Sequence, residues 1–399
     1  MRLLRSYKKT VTLEVATSLS LVLATICALI MYNSPLKSTY VYIFNSINLG
    51  NGFNLHMFIN DFLMAIFFLV AGLEIKNEIL FGNLSTFKKA SFPVIASLGG
   101  VIVPALIFFI FNKDTPFLSG ICIPISTDIA FAVGIFLIFR KKLNPSLKIF
   151  LLSLAVVDDL ISIFAIGAVY SIDINYIYIS ISIVILFTLF IANRIFNVTS
   201  ITYYLIGGFC LWFFVYLSGV HSTVSGVLLA MVIPHNNTSS SCLERMQRLL
   251  VPINSIFIIP LFAFANTGIS LSFNSIDFST STTLSLGIVL GLYLGKPMGI
   301  MLFTFIGCFL GITEKPSNIT WISVFLVSII AGIGFTMSIF ISEIAFIHNL
   351  VLVDIAKISI LVSSVLSMVS SFIIISIYSI FSKDKHNKNT MNLSKSYIS

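Results

Sequence analysis

SLAVVDDLI, residues 153–161, places two adjacent carboxylates, Asp158 and Asp159, inside a run that is otherwise apolar from about Ile149 to Tyr170. At a rise of about 1.5 Å per residue, a helix beginning near Lys148 carries them roughly 15 Å inward, close to a bilayer midplane. A charged side chain at that depth costs about 2.5–3.5 kcal/mol on insertion scales. No packing need explains two together, so the pair reads as functional.

The rest of the chain agrees with a membrane setting. Its 399 residues are 57% hydrophobic and 10% charged, with a mean hydropathy of +1.05. Soluble domains carry about 25% charged residues, so an all-α polytopic membrane protein is expected. The formal charge of +8 comes from basic residues scattered through short loops. That pattern is a topology signal and gives no nucleic-acid surface. Cys27, Cys122, Cys210, Cys242 and Cys308 show no metal-ligand spacing, so neither a disulfide framework nor a zinc site is expected. No cofactor is implied. One transmembrane domain over 1–382 is expected, followed by a basic, disordered tail over 383–399.

Apolar runs place spans near 14–32, 58–75, 91–111, 118–139, 148–170, 176–193, 252–268, 283–310, 319–342 and 355–381. The basic start (Arg2, Arg5, Lys8, Lys9) and the apolar run behind it read as an uncleaved first helix. The basic ends both read as cytoplasmic, which requires an even number of spans. The stretch 202–234, interrupted by Ser218-Gly219-Val220-His221, is therefore two short helices, and the total is about 12. That topology leaves only Lys37, Lys113 and Lys357 outside and Lys296 within the membrane.

Two spans are interrupted. GICIPISTDIAFAVG, from Gly120, contains Pro124, which removes a backbone donor, and Ser126-Thr127-Asp128, whose side chains compete for helical hydrogen bonds. AGIGFTMS, residues 331–338, has Gly332 and Gly334 in mid-span. Corresponding interruptions in two halves suggest an internal repeat with a binding site at its centre. Non-helical backbone survives at that depth only where protein or water surrounds it.

Asp128 lies within the first interruption, where a carboxylate would compensate helix N-terminal ends and a cation C-terminal ends. Lys296, in GLYLGKPMGI, reads as the one Lys or Arg buried at depth. Asp158 and Asp159 stand about 100° apart around a helix, so one can pair with Lys296 while the other faces an aqueous cavity. Desolvation and a nearby ammonium act on a carboxylate's proton affinity in opposite senses, so such a site can titrate near physiological pH. Sodium or protons then compete for it. His56, His235, His348 and His386 read as loop or tail residues, and Glu343 and Asp354 as solvated flanks of an outer loop.

Over about residues 10 to 382 the chain resembles the NhaA family of sodium/proton antiporters. The likeness rests on NDFLMAIFFLVAGLEIKNE (60–78), STDIAFAVG (126–134), LAVVDDL (154–160), SGVHSTVSGV (218–227), PLFAFANTGIS (260–270), LGKPMGI (294–300) and AGIGFTMS (331–338). It implies about 12 transmembrane helices with inverted-topology repeats and two interrupted, crossing helices, and electrogenic exchange of Na+ or Li+ for a larger number of H+ across a bacterial inner membrane, in pH and sodium homeostasis. It implies Asp159 as the main ligand of the transported Na+, Asp158 as partner of Lys296, and Thr127 beside the site. Asp128 and Lys296 would balance half-helix dipoles, and Asp61 would line an outer funnel. Glu74, Lys76, Glu78 and His221 match the family's pH-sensing pattern. Asn77 stands where an Arg is expected, and Gln247 and Val251 where a Glu and a His are expected. Family members are often dimers, which makes the exposed hairpin 33–57 a candidate interface for a second copy.

Competing readings are weaker. An intramembrane aspartyl protease would set its two carboxylates on separate helices, and no enzymatic activity is expected. A passive cation channel or an inactive antiporter-like protein are the alternatives.

Overall fold

In the computed structural model, residues 2–47, 53–82, 84–140, 143–171, 174–235, 241–270 and 278–396 are described. Lys141 and Lys142, which entered the charge pattern, lie outside them. The chain is all-helical among these residues. It runs through α1 (Arg2–Tyr32), α2 (Leu55–Phe81), α3 (Phe87–Asn112), the 3-10 half-helix Pro116–Ile125, α4 (Ile129–Ile138), α5 (Pro145–Val169) and α6 (Tyr176–Arg194). It continues with α7 (Ile201–Leu217), α8 (Val224–Val232), α9 (Cys242–Asn266), α10 (Ser281–Phe309), α11 (Trp321–Ala331), α12 (Phe335–Ala345) and α13 (Leu350–Ser396).

Eight of these helices are long and apolar enough to cross a membrane among the described residues, and up to 10 spans result if each of two bent pairs counts as one. The pairs are the expected ones: Pro116–Ile125 with α4, bent by 42°, and α11 with α12, bent by 46°. The stretch 202–234 forms the two short helices α7 and α8. This is a polytopic membrane protein.

Local sequence sets the helix ends. The Asn144 side chain accepts from Ser146 N–H, with Pro145 opening α5. Ser241 caps α9 by accepting from Glu244 N–H. That helix starts ten residues before the expected 252, because its first turns are amphipathic: Leu243, Met246 and Leu250 are buried while Arg245 and Arg248 are exposed. Average hydropathy cannot register such a stripe. α13 runs through the boundary expected at 382. The connection expected as a hairpin over 33–57 is helical from Lys37 to Ser46.

One crossing positions the site. A Cβ on Gly299 would stand 2.1 Å from the Gly99 carbonyl oxygen, and one on Gly99 2.2 Å from that of Gly299. α3 and α10 therefore meet backbone to backbone, an approach that small residues permit. Just ahead of this contact, Ser97 on α3 and Lys296 on α10 reach the same carboxylate of α5.

The charges beside the 346–349 connection differ from expectation. Glu343 is largely withdrawn from solvent: it forms an ion pair with Lys357, and the two side chains are 16% and 8% exposed. Lys296 is thus not the one buried basic residue. Both partners sit near helix ends, where sequence alone assigns them to water. His56, read as a loop residue, lies in the first turn of α2, half-buried, with Nε2 3.0 Å from Asn266 Oδ1.

Candidate functional site

The two broken spans cross at their interruptions. Asp128 N–H donates to the Ile333 carbonyl at 2.8 Å, and Thr127 Oγ1 donates to that of Ala331 at 3.1 Å. Ser338 Oγ closes the other side by donating to Ile123 O at 2.8 Å. Backbone groups released by the breaks are therefore satisfied by protein, as burial demands.

Asp128 stands at two helix N-termini at once. Its Oδ1 accepts from Phe131 N–H in the first turn of α4 at 2.9 Å. Its Oδ2 accepts from Thr336 N–H in the first turn of α12 at 3.0 Å and from the Thr336 hydroxyl. Lys296 occupies the opposite pole. Its ammonium donates to Ile125 O, the last carbonyl of the 3-10 half-helix, at 2.7 Å. It also lies 3.2 Å from Asp158 Oδ2. An anion at N-termini and a cation at a C-terminus match the sense of the helix dipoles.

The adjacent carboxylates are in unlike surroundings, though both side chains are fully buried. Both oxygens of Asp158 are engaged. Its Oδ1 accepts from Ser97 Oγ at 2.6 Å, and its Oδ2 faces Lys296 and Thr127 Oγ1 at 2.9 Å, the hydroxyl sharing its one proton between Asp158 and the Ala331 carbonyl. Neither oxygen of Asp159 has a hydrogen-bond partner among the described residues. Asp159 instead lines a cavity of about 200 Å³, together with Asp128 and Thr336. The cavity extends to Glu14 on α1 and Glu74 on α2. Toward the Asp61 end of α2, Phe340 packs with ring centroids 5.8 Å from Phe68 and 6.0 Å from Phe262.

The remaining expected residues divide. Glu74 is exposed, and what it faces is the cavity. The Lys76 ammonium donates to the carbonyls of Ala230, Met231 and Ile233, so it caps the C-terminal end of α8. Ser153 Oγ lies 3.5 Å from Glu78. His221 lies at the far end, its Nδ1 2.9 Å from Thr223 Oγ1 and its ring edge-on to Phe340. Asp61 accepts from Ser222 Oγ at 2.9 Å. Gln247 donates to Leu73 O at 3.1 Å, and Val251 lines the cavity near its Glu74 end.

Three residues were missed by the sequence reading. Ser97 offers no signal, being one serine among apolar neighbours. Thr336 lay within AGIGFTMS without a role assigned. Glu14 is a lone carboxylate at the start of the first span, held by Lys148 at 2.6 Å, and its position beside the apolar run was the available clue. No group of three or more His, Cys, Asp or Glu suited to a resident metal occurs among the described residues.

Comparison with known proteins places the chain in a family. A family model described as Na+/H+ antiporter 1 matches residues 8–375. The Na+/H+ antiporter NhaA of Helicobacter pylori strain HPAG1 is 42% identical, over 87% of this chain and 90% of its own. NhaA of Pelagibacter ubique strain HTCC1062 is 41% identical, over 91% and 95%. NhaA 2 of Aliarcobacter butzleri strain RM4018 is 40% identical, over 91% and 94%. With a family model over nearly its whole length and such relatives, the chain belongs to the NhaA family of Na+/H+ antiporters.

Proposed function

We propose that this protein exchanges Na+ or Li+ for a larger number of H+ across the bacterial inner membrane, with both termini in the cytoplasm and Asp159 as the exchanging carboxylate. One observation carries the reading: of two adjacent buried carboxylates, Asp158 has both oxygens engaged, whereas Asp159 has two unpartnered oxygens beside a cavity. A buried carboxylate without partners needs a proton or a cation. Either satisfies Asp159, and binding one expels the other. Exchange follows when the site faces each side in turn, because a carboxylate carrying neither is too costly to carry across.

The other roles follow from position. Asp158 and Lys296 form the acid–base pair beside the site; a proton that Lys296 gives up on one side and regains on the other supplies the count beyond the one carried by Asp159, and Thr127 orients Asp158. Asp128 offsets the N-terminal ends of α4 and α12. Glu14 and Glu74 draw cations into the inner mouth and, with Glu78, respond to cytoplasmic pH. Asp61 and His221 belong to the outer path. Lys76, engaged on the end of α8, couples that helix to α2. A homodimer is the proposed assembly.

The test uses everted membrane vesicles, acidified inside and carrying a fluorescent pH probe, with Na+, Li+ or K+ added across pH 6 to 9. Dissipation by Na+ or Li+, absent in Asp159→Asn, is the expected result. Cation flux without proton movement would favour a channel. No response from folded protein would make the chain an inactive relative.

A further inference from the structure

The cavity holds an oxygen that the roles above leave unused. Asn254 opens a π-helical turn, Asn254–Ile258, in the middle of α9. Such single turns displace the side chains that follow and recur at functional sites. The residue is 5% exposed and is one of those that line the cavity shared with Asp159 and Glu74. Its Oδ1 is buried and has no hydrogen-bond partner among the described residues. An orphaned amide oxygen is a liability in an apolar helix, since nothing replaces the water it gave up. It is also a hard, neutral ligand of the kind that alkali cations accept.

We propose that Asn254 Oδ1 is a ligand for the transported cation on its way between the Glu74 mouth and Asp159. The inference rests on the antiporter reading and adds to it. An amide oxygen does not titrate, so a cation held there meets no competition from protons. The contribution of Asn254 therefore lies in cation affinity and in the choice between Na+ and Li+, whose shells differ in size. Proton competition stays with Asp159. The neighbouring Ser255 lines the same wall and adds a hydroxyl oxygen to the path.

Sodium binding to the full-length protein in detergent, read as the Na+-dependent rise in melting temperature at fixed pH, provides the test. Asn254→Val removes the oxygen, and Asn254→Asp keeps one in place and adds a charge. The valine variant is expected to need on the order of tenfold more Na+ for the same stabilisation, the size of one lost polar contact to an ion. Its Li+ response should change by a different factor. In vesicles its KM should rise while the maximal rate stays within about twofold, because the ligand acts before the exchange step. The aspartate variant should restore affinity at alkaline pH and lose it on acidification, giving a pH dependence that a packing role cannot produce. Should the valine variant fold poorly, Asn254→Ala removes the oxygen with a smaller side chain and gives the same comparison. Wild-type Na+ dependence in the folded valine or alanine variant, with Na+ binding intact in the parent, overturns the role of Asn254 alone. A parent protein that shows no Na+-dependent stabilisation overturns both this role and the antiporter reading.

Discussion

Asp158–Lys296 and Glu343–Lys357 are both ion pairs withdrawn from water, yet they are built differently. The first has both side chains at 0% exposure and a distance of 3.2 Å. It is braced by Ser97, Thr127 and the Ile125 carbonyl. The second keeps 16% and 8% exposure and joins two helices that are neighbours in the chain, α12 and α13. The deep pair ties α3, α5, α10 and the first broken span into one knot. The shallow pair fastens a single helical hairpin near its connecting loop. A buried pair is weak evidence for stability by itself, because desolvation opposes attraction. What distinguishes the two is how many other groups depend on each.

That contrast can be broken, beginning with the carboxylate that belongs to neither pair. Asp159→Asn should abolish exchange in the vesicle assay and leave the melting temperature in detergent within a few degrees of the parent, since no hydrogen bond is lost. A large loss of stability would mean that Asp159 is structural. Lys296→Ala should destabilise by about 3–5 kcal/mol, because it strands Asp158 at full burial. Denaturant or thermal unfolding measures it, and a parent-like transition would show that Ser97 and Thr127 suffice to hold the charge.

The shallow pair should matter less. Lys357→Ala should lower stability by about 1–2 kcal/mol, since water reaches the remaining Glu343 carboxylate and screens it. Transport should survive. A loss equal to that of Lys296→Ala would show that burial depth does not set the cost. At the inner mouth, Lys148 and Glu14 are 19% and 22% exposed. Lys148→Ala should change stability by under about 1 kcal/mol. Its effect should appear instead as a higher apparent affinity for Na+ at low ionic strength, fading as salt is added. An effect that persists at high salt would place the pair in the packing and not in the field at the mouth.

Hydropathy and charge at depth are local properties, and for that reason much of the protein was readable. The spans, the split of 202–234 into two short helices, and both interruptions follow from runs of apolar residues and from Pro124, Ser126, Gly332 and Gly334. Asp158, Asp159 and Lys296 stood out because no interface lies near enough to excuse them. The amphipathic start of α9 escaped, since its burial follows helical period and not mean composition.

The sequence by itself determined that this is a membrane protein of paired broken spans with a buried acid–base cluster, because lipid leaves few other uses for such residues. Spacing alone left open which aspartate is bonded; the family resemblance pointed to Asp158, and the tertiary structure supplies the physical reason. That choice depends on Ser97 and Lys296 arriving from α3 and α10, helices brought together where Gly99 meets Gly299. The same holds for Glu14 and Asn254 sharing one cavity, for Lys76 turned onto the end of α8, and for Glu343 withdrawn from solvent. Each is a contact between segments apart in the chain, fixed by how the helices cross, and no one-dimensional pattern records a crossing.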